Sequence, residues 1–352
     1  PELFGSEANY MMQLDAVKVN LPLKKKFAVS QGEVTVKTNL LTILNNRYSG
    51  EASTSIYYGP SIEEMAADLR KGIALLERQT AVTLGTLHDI DRMDIHPAAR
   101  SALMAAVLNY LSGESRRYPW ELVDLGTPIG IKSSMTVGID ATDRMVEAIR
   151  SSEYPIIKVK MGHEQDVMIL DALEAGLGKE VRVDANGAWS CAKAEEMIYH
   201  LSRKGVRVIE QPTDADYVKE WPHLKGKADV ELIMDEGLNT LDDYMRCRAS
   251  IDGINIKMDK CGGILHGVAL ARQAQADRKK VMLGCMVESS VGIAQSVYMS
   301  ALADYFDLDG PLLLEDDIAR GISYHRESIN VDREIIGGPK LRRDVLQKYL
   351  SE

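Results

Sequence analysis

The chain has 352 residues, more than one compact core of typical domain size, so a large barrel or a barrel with a smaller domain is expected. Its residues are 45% hydrophobic and 27% charged, as in globular proteins, and a net charge of −10 without a long basic block argues against nucleic acid as a partner. No run approaches the roughly 18 apolar residues of a membrane span, PELFGSEANY lacks a signal-peptide pattern, and Cys191, Cys247, Cys261 and Cys285 have no CxxC spacing, so a reduced, cytoplasmic protein without disulfides or zinc is expected.

Residues 10–58 read as a β meander, with β-branched and aromatic residues between turn signals. Within it KVNLPLKKKFAVSQGE (18–33) reads as a hairpin with a polar connection. Its Lys24, Lys25 and Lys26 read either as a solvated loop or as attraction for an anionic substrate. Ser61 and Glu64 form a capping-box pattern ahead of the helical period in SIEEMAADLRKGIALLERQ. HPAARSALMAAVLNYLSGES reads as a second helix, starting near Pro97 and ending by Gly113. The prolines and glycines of YPWELVDLGTPIGIKSS mark a boundary near 118–130.

From there strand and helix patterns alternate. SSMTVGI, IIKVKM, VRVDAN, VRVIEQP, ELIMDE, GINIKM and VMLGCMVES read as strands. Helices separate them, among them ATDRMVEAIRSSE, DVMILDALEAGL and AKAEEMIYHLSRKG. VGIAQSVYMSALADYF reads as a last helix and PLLLEDD as an eighth strand. The expected fold is α/β, a modified TIM barrel of (β/α)7β type over 127–319. An α+β capping domain is formed by 1–126, and 320–352 returns to it with short β pieces (ISYHRESINV) and a helix (LRRDVLQKYLSE). Barrels of this size often self-associate, and no residue pattern names an interface.

The barrel strands end in charge. Lys158/Lys160, Asp184, Glu210, Asp235 and Lys257 follow one another at steps of 26, 26, 25 and 22 residues. Barrel enzymes place catalytic side chains at successive strand ends, so three carboxylates meet with lysines on either side. One such acid alone reads as a helix cap. Three sharing a site repel one another unless a cation neutralises them, and oxygen-only ligands point to Mg²⁺ or Mn²⁺. Lys158 and Lys160, two apart on one strand, share a face. Lys257 ends a strand across the barrel from Lys160. Two amines facing one α-carbon from opposite sides suit racemisation or epimerisation, one removing the proton and the other returning it, with the metal stabilising the enolate. A strand-end lysine, Lys158 in particular, also reads as a plain salt-bridge partner. Asn186 and Glu288 read as hydrogen-bonding support for the site. Cys285, taken alone, reads as a small buried apolar residue.

IKVKMG, VDANGAW, IEQP, MDEG and NIKMDKCGG together resemble the muconate-lactonising subgroup of the enolase superfamily, and HPAARSALMAAVLNYL resembles its cap-domain helix. Enolase-type sites are an established case of a lysine base beside Mg²⁺. The resemblance implies Lys160 and Lys257 as the acid/base pair, Asp184, Glu210 and Asp235 as metal ligands, and Lys158 on the substrate carboxylate or the metal. DLDG at 307–310 matches the Asp-x-Asp pair with which dipeptide epimerases hold the substrate ammonium, which implies Asp307 and Asp309 in that role. Thr136, Cys285 and Val287 fall where the family lines the dipeptide. The implied activity is Mg²⁺-dependent epimerisation of dipeptides, with L-Ala-D/L-Glu from murein peptides as the leading substrate. The cap loop KKKFAVSQG lacks the Arg with which some members bind the Glu side chain, which leaves apolar or cationic dipeptides open. The same residues also leave open an N-acylamino acid racemase, an o-succinylbenzoate synthase, a cycloisomerase, a Schiff-base aldolase on Lys160 or Lys257, and a metal-dependent carboxylate-binding protein.

Overall fold

The computed structural model describes residues 13–29, 32–53, 59–163, 166, 168–169 and 178–350. Three antiparallel strands open it: β1 (Leu14–Val29), β2 (Gly32–Leu44) and β3 (Tyr48–Ala52). The expected hairpin is β1 with β2, and their register slips between Pro22 and Phe27, where Lys24–Lys26 fall. Pro22 has no ladder donor, which suits it to such a break. The tip at residues 30–31 lies outside the described residues, as does the 54–58 part of the meander.

Three helices back this sheet: α1 (Ile62–Leu76), α2 (Leu84–Asp91) and α3 (Pro97–Ser115). Ser61 and Glu64 close the predicted capping box on α1. α3 is buried on nearly all sides, because it packs at once on β3, on α1 and α2, and on the barrel turn Met258–Cys261. Its alanines let β3 come close. A Cβ on Gly50 would stand 2.0 Å from the Ala102 carbonyl oxygen. Gly50→Ala should therefore destabilise the fold by about 1–3 kcal/mol through overpacking, read as a lower urea midpoint, and an unchanged midpoint would refute the close contact. α3 also runs past Gly113, where the sequence suggested a stop. That glycine is a packing residue: a Cβ there would lie 2.4 Å from the Tyr48 ring.

Eight parallel strands then follow in chain order: β4 (Met135–Val137), β5 (Ile156–Lys160), β6 (Glu180–Asp184), β7 (Val208–Glu210), β8 (Glu231–Met234), β9 (Gly253–Ile256), β10 (Lys280–Gly284) and β11 (Tyr305–Asp307). A parallel bridge from Ser133 to Phe306, with Ser134 N–H donating to the Phe306 carbonyl at 3.1 Å, joins the first strand to the last and closes the barrel. The helix read over 166–177 lies largely outside the described residues. The eighth strand differs from the sequence reading. PLLLEDD is not a strand: Gly310–Leu313 forms a helical turn, with Pro311 near its start, where its missing N–H costs nothing. The strand is instead Tyr305–Asp307, paired with β10 from Met282 to Gly284. Asp307 thus ends a barrel strand, as Lys160, Asp184 and Glu210 do.

The hairpin of Ile322–His325 and Ser328–Val331 docks where the barrel begins, with Ile329 N–H on the Ile131 carbonyl. The helix Arg343–Tyr349 returns to β1. A second apolar core, including Val19, Leu21, Leu41, Val291, Leu314 and Ile318, joins cap to barrel. All four cysteines are free. Among the described residues, no helix is long and apolar enough to cross a membrane.

Candidate active site

Parallel pairing sets the predicted residues side by side. Lys160 is in register with Asp184, and Asp184 with Glu210. Asp235 and Lys257 stand one residue past the ends of β8 and β9. All five side chains are buried, as are Lys158 and Asp307. β5 and β9 are four strands apart in a barrel of eight, so Lys160 and Lys257 approach the centre from opposite sides.

Lysines and acids interleave. Lys158 Nζ lies 2.9 Å from Asp184 Oδ2, 2.8 Å from Glu210 Oε2 and 2.6 Å from Asp307 Oδ2. Lys160 donates to Asp184 at 2.6 Å. Lys257 and Lys260 take the two oxygens of Asp235 at 2.7 and 2.6 Å. Burial works against the Lys158 ammonium, but Asp184, Asp307 and Glu210 outweigh it and hold the ammonium well above its ordinary range. Burial likewise works against ionised Asp184, Asp235 and Asp307, and the adjacent lysines reverse it and keep all three low. Glu210 is the exception. Burial and the charges of Asp184 and Asp235 push it up to about 8.

The remaining predicted residues divide. Ser134 Oγ donates to Asp307 at 2.7 Å, and Thr136 N–H donates to Asp309 at 2.6 Å, which joins β4 to the Asp307–Asp309 turn. Burial, then the charge of Asp307, raises Asp309 to about 6. Asn186 supports Asp184 through its backbone N–H at 2.9 Å, while its side chain holds Glu236. Cys285 is half-buried just past β10, its thiol pushed well up by burial and nearby acids. Val287 packs against the cap–barrel core. Glu288 keeps apart from the three central acids: it lies with Asp259 and Glu51 under the cap, where burial and those two acids drive its carboxyl well up.

Sequence reasoning missed several members. Asn255 donates to Glu210 Oε1 at 2.8 Å. It stands two before Lys257 on one strand, and that alternation was the signal. Lys260 follows Lys257 by three, within one helical turn, so both reach Asp235. Gln211, just past Glu210, sits in the left-handed region at φ 39, and its side-chain oxygen accepts the N–H groups of Asp235 and Glu236. That bond ties the end of β7 to the end of β8.

Among the described residues, no group of three or more His, Cys, Asp or Glu side chains stands ready to hold a metal, since the lysines draw the acids to themselves. The donor set nevertheless suits a hard cation. Its ligands are all oxygens. Asp184, Glu210, Asp235, Glu236, Asp307 and Asp309 outnumber Lys158, Lys160, Lys257 and Lys260. Glu210 Oε2 is buried and, although near Lys158, meets no donor in hydrogen-bonding geometry.

A family profile described as "Enolase C-terminal domain-like" matches residues 140–330. The L-Ala-D/L-amino acid epimerase of Flavobacterium johnsoniae is 30% identical over 89% of this chain and 94% of its own. A hydrophobic dipeptide epimerase of Roseobacter litoralis is 31% identical over 86% of this chain and 92% of its own. The crystal structure of a dipeptide epimerase from Cytophaga hutchinsonii, complexed with Mg and the dipeptide D-Ala-L-Val, superposes with a TM-score of 0.83 at 23% identity, over 97% of this chain and 98% of the other.

Proposed function

The chain belongs to the enolase C-terminal domain-like family, and on that premise we propose that it epimerises dipeptides at the α-carbon of the C-terminal residue. The observation that carries the reading is the placing of Lys160 and Lys257 on opposed strands, with paired acids at Asp307 and Asp309 on a third side. The relatives at about 30% identity are named for this class of reaction, which supports it.

Lys160 takes the α-proton from one face and Lys257 returns one to the other, or the reverse for the opposite epimer. Their carboxylate partners orient the amines. Asp307 and Asp309 attract the free ammonium of the dipeptide, and Thr136 fixes the Asp309 oxygen. Cys285 and Val287 wall the dipeptide. Asp184, Glu210 and Asp235 would hold Mg²⁺ or Mn²⁺, with Asn186 and Asn255 steadying two of them. When bound, that ion supplies positive charge against the negative charge that develops on the substrate carboxylate. Lys158, which bridges the metal acids to Asp307, is positioned to meet that carboxylate.

The substrates are L-Ala-D/L-amino acid dipeptides. Lys24 donates to the Leu312 carbonyl at 2.9 Å, in the helical turn that follows Asp309, and is the cap-loop cation that would have to leave this bond to meet a Glu side chain. The test is incubation of dipeptides with Mg²⁺ in D₂O, read by mass spectrometry. One-dalton gain is expected in L-Ala dipeptides and not in their N-acetylated forms. Gain in L-Ala-D/L-Glu selects the acidic side chain, and gain only in apolar dipeptides moves the specificity. Exchange of N-acylated substrates alone would overturn the reading in favour of an N-acylamino acid racemase.

Asp309 also gives a pH signature. Its neutral form dominates below about 6 and attracts an ammonium poorly. KM for a free dipeptide should therefore rise as pH falls through about 6, with the slope of a single proton. Asp309→Asn should raise KM at neutral pH and abolish the inflection. A wild-type KM that stays flat from about pH 5 to about pH 8 would remove Asp309 from ammonium binding.

A further inference from the structure

A second buried polar cluster lies where the cap meets the barrel, behind the dipeptide wall at Val287. Its centre is Glu51 on β3, 2% exposed. Asn39 donates to it from the cap at 2.7 Å. The barrel gives it three donors from one short segment: the N–H and O–H of Ser289 and the N–H of Gly292, the last at 3.1 Å. Asn39 and Ser53 also donate to the Val287 carbonyl at 3.0 and 3.2 Å. Cap side chains therefore hold both ends of 287–292.

That segment backs the ammonium-binding acids. A Cβ on Gly310, next to Asp309, would stand 2.8 Å from the Met286 carbonyl oxygen and 2.9 Å from that of Glu288. The backbone of 286–288 is thus the rear wall of the Asp309–Gly310 turn, and no slack separates them.

We propose that Glu51 is a positioning residue for substrate binding: by fixing 287–292 it sets where Asp307 and Asp309 meet the ammonium. The cap does not need it for adhesion, because Val19, Leu21, Leu41 and Val291 already join the two parts through an apolar core. A buried carboxylate is costly to desolvate, and apolar side chains would serve adhesion as well or better. What it adds is direction: four donors converge on one group and fix the backbone that carries them.

The inference rests on the dipeptide reading. The test compares wild type, Glu51→Gln and Ser289→Ala in steady-state epimerisation, with Mn²⁺ affinity measured separately by calorimetry. Both variants should raise the dipeptide KM about tenfold, the loss expected for one hydrogen bond to a charged group. In both, kcat should stay within about twofold of wild type and Mn²⁺ affinity should not change. An unchanged KM in both variants, or a joint loss of kcat, substrate affinity and Mn²⁺ affinity, would overturn it in favour of a purely structural role. Should Glu51→Gln not fold, Ser289→Ala carries the test, since it removes a single donor. Failure of the functional reading is seen separately, as wild type that exchanges no dipeptide, and it overturns the inference as well, because an N-acylated substrate brings no ammonium to Asp307 and Asp309.

Discussion

Lys160→Ala and Lys257→Ala should each abolish epimerisation, with kcat expected to fall by roughly a thousandfold or more, as when a positioned acid/base is removed. The two variants differ in what they keep. Because β5 and β9 stand four strands apart in the eight-stranded barrel, the two-base proposal assigns each lysine one face of the α-carbon. With Lys160 gone, Lys257 should still exchange the α-proton of the epimer whose hydrogen faces it, and with Lys257 gone the preference should reverse. Exchange in D₂O on each separate epimer, read by proton NMR, should therefore give complementary results. Full epimerase activity in either variant would defeat the two-base assignment. Equal loss of exchange for both epimers in both variants would point to a one-base enzyme, with the second lysine present only to hold its acid.

The strand ends were readable from sequence for a physical reason. A parallel strand covered on both faces needs a run such as Ile156–Ile157 or Val206–Ile209, and a functional barrel then stops that run with a charge. Five such stops in order leave few other folds. Tyr305–Asp307 escaped because Tyr305 and Phe306 close the helix-like run SALADYF, and a strand of three residues is too short for their β propensity to show as a pattern. Pairing to β10 makes them a strand, and pairing is a tertiary fact. PLLLEDD failed in the opposite sense, as its apolar run serves a helical turn and the cap–barrel core. Glu51 could not be read at all, since Ser289, its main donor, lies 238 residues away. Lys260 and Asn255 were within reach, being placed by local periodicity beside a residue already chosen.

Glu210→Gln should separate the metal site from the fold by moving two measurements in opposite directions. The variant keeps its size and can still accept from Asn255, but it can no longer ionise at the centre of the acids. Mn²⁺ affinity should drop by at least about 100-fold, the upper range for loss of a supporting group alone, and chelation of wild type should stop α-proton exchange until Mg²⁺ is restored. Stability of the metal-free protein should move the other way. Glu210 is raised from 4.5 to about 8 in the folded protein. As pH climbs above the unfolded value, the unfolded chain gains by releasing this proton while the folded chain still retains it, so wild type loses stability between about 4.5 and 8. Glutamine does not titrate, so by urea unfolding in chelator the variant should match wild type near about pH 4 and be the more stable of the two at about pH 8. Added Mn²⁺ should reverse the order, because an ion bound to the native state stabilises only the protein that binds it. A variant less stable than wild type at about pH 8 without metal would mean that Glu210 is held by its neighbours as a structural partner, its charge met by Lys158 and its other oxygen by the Asn255 amide.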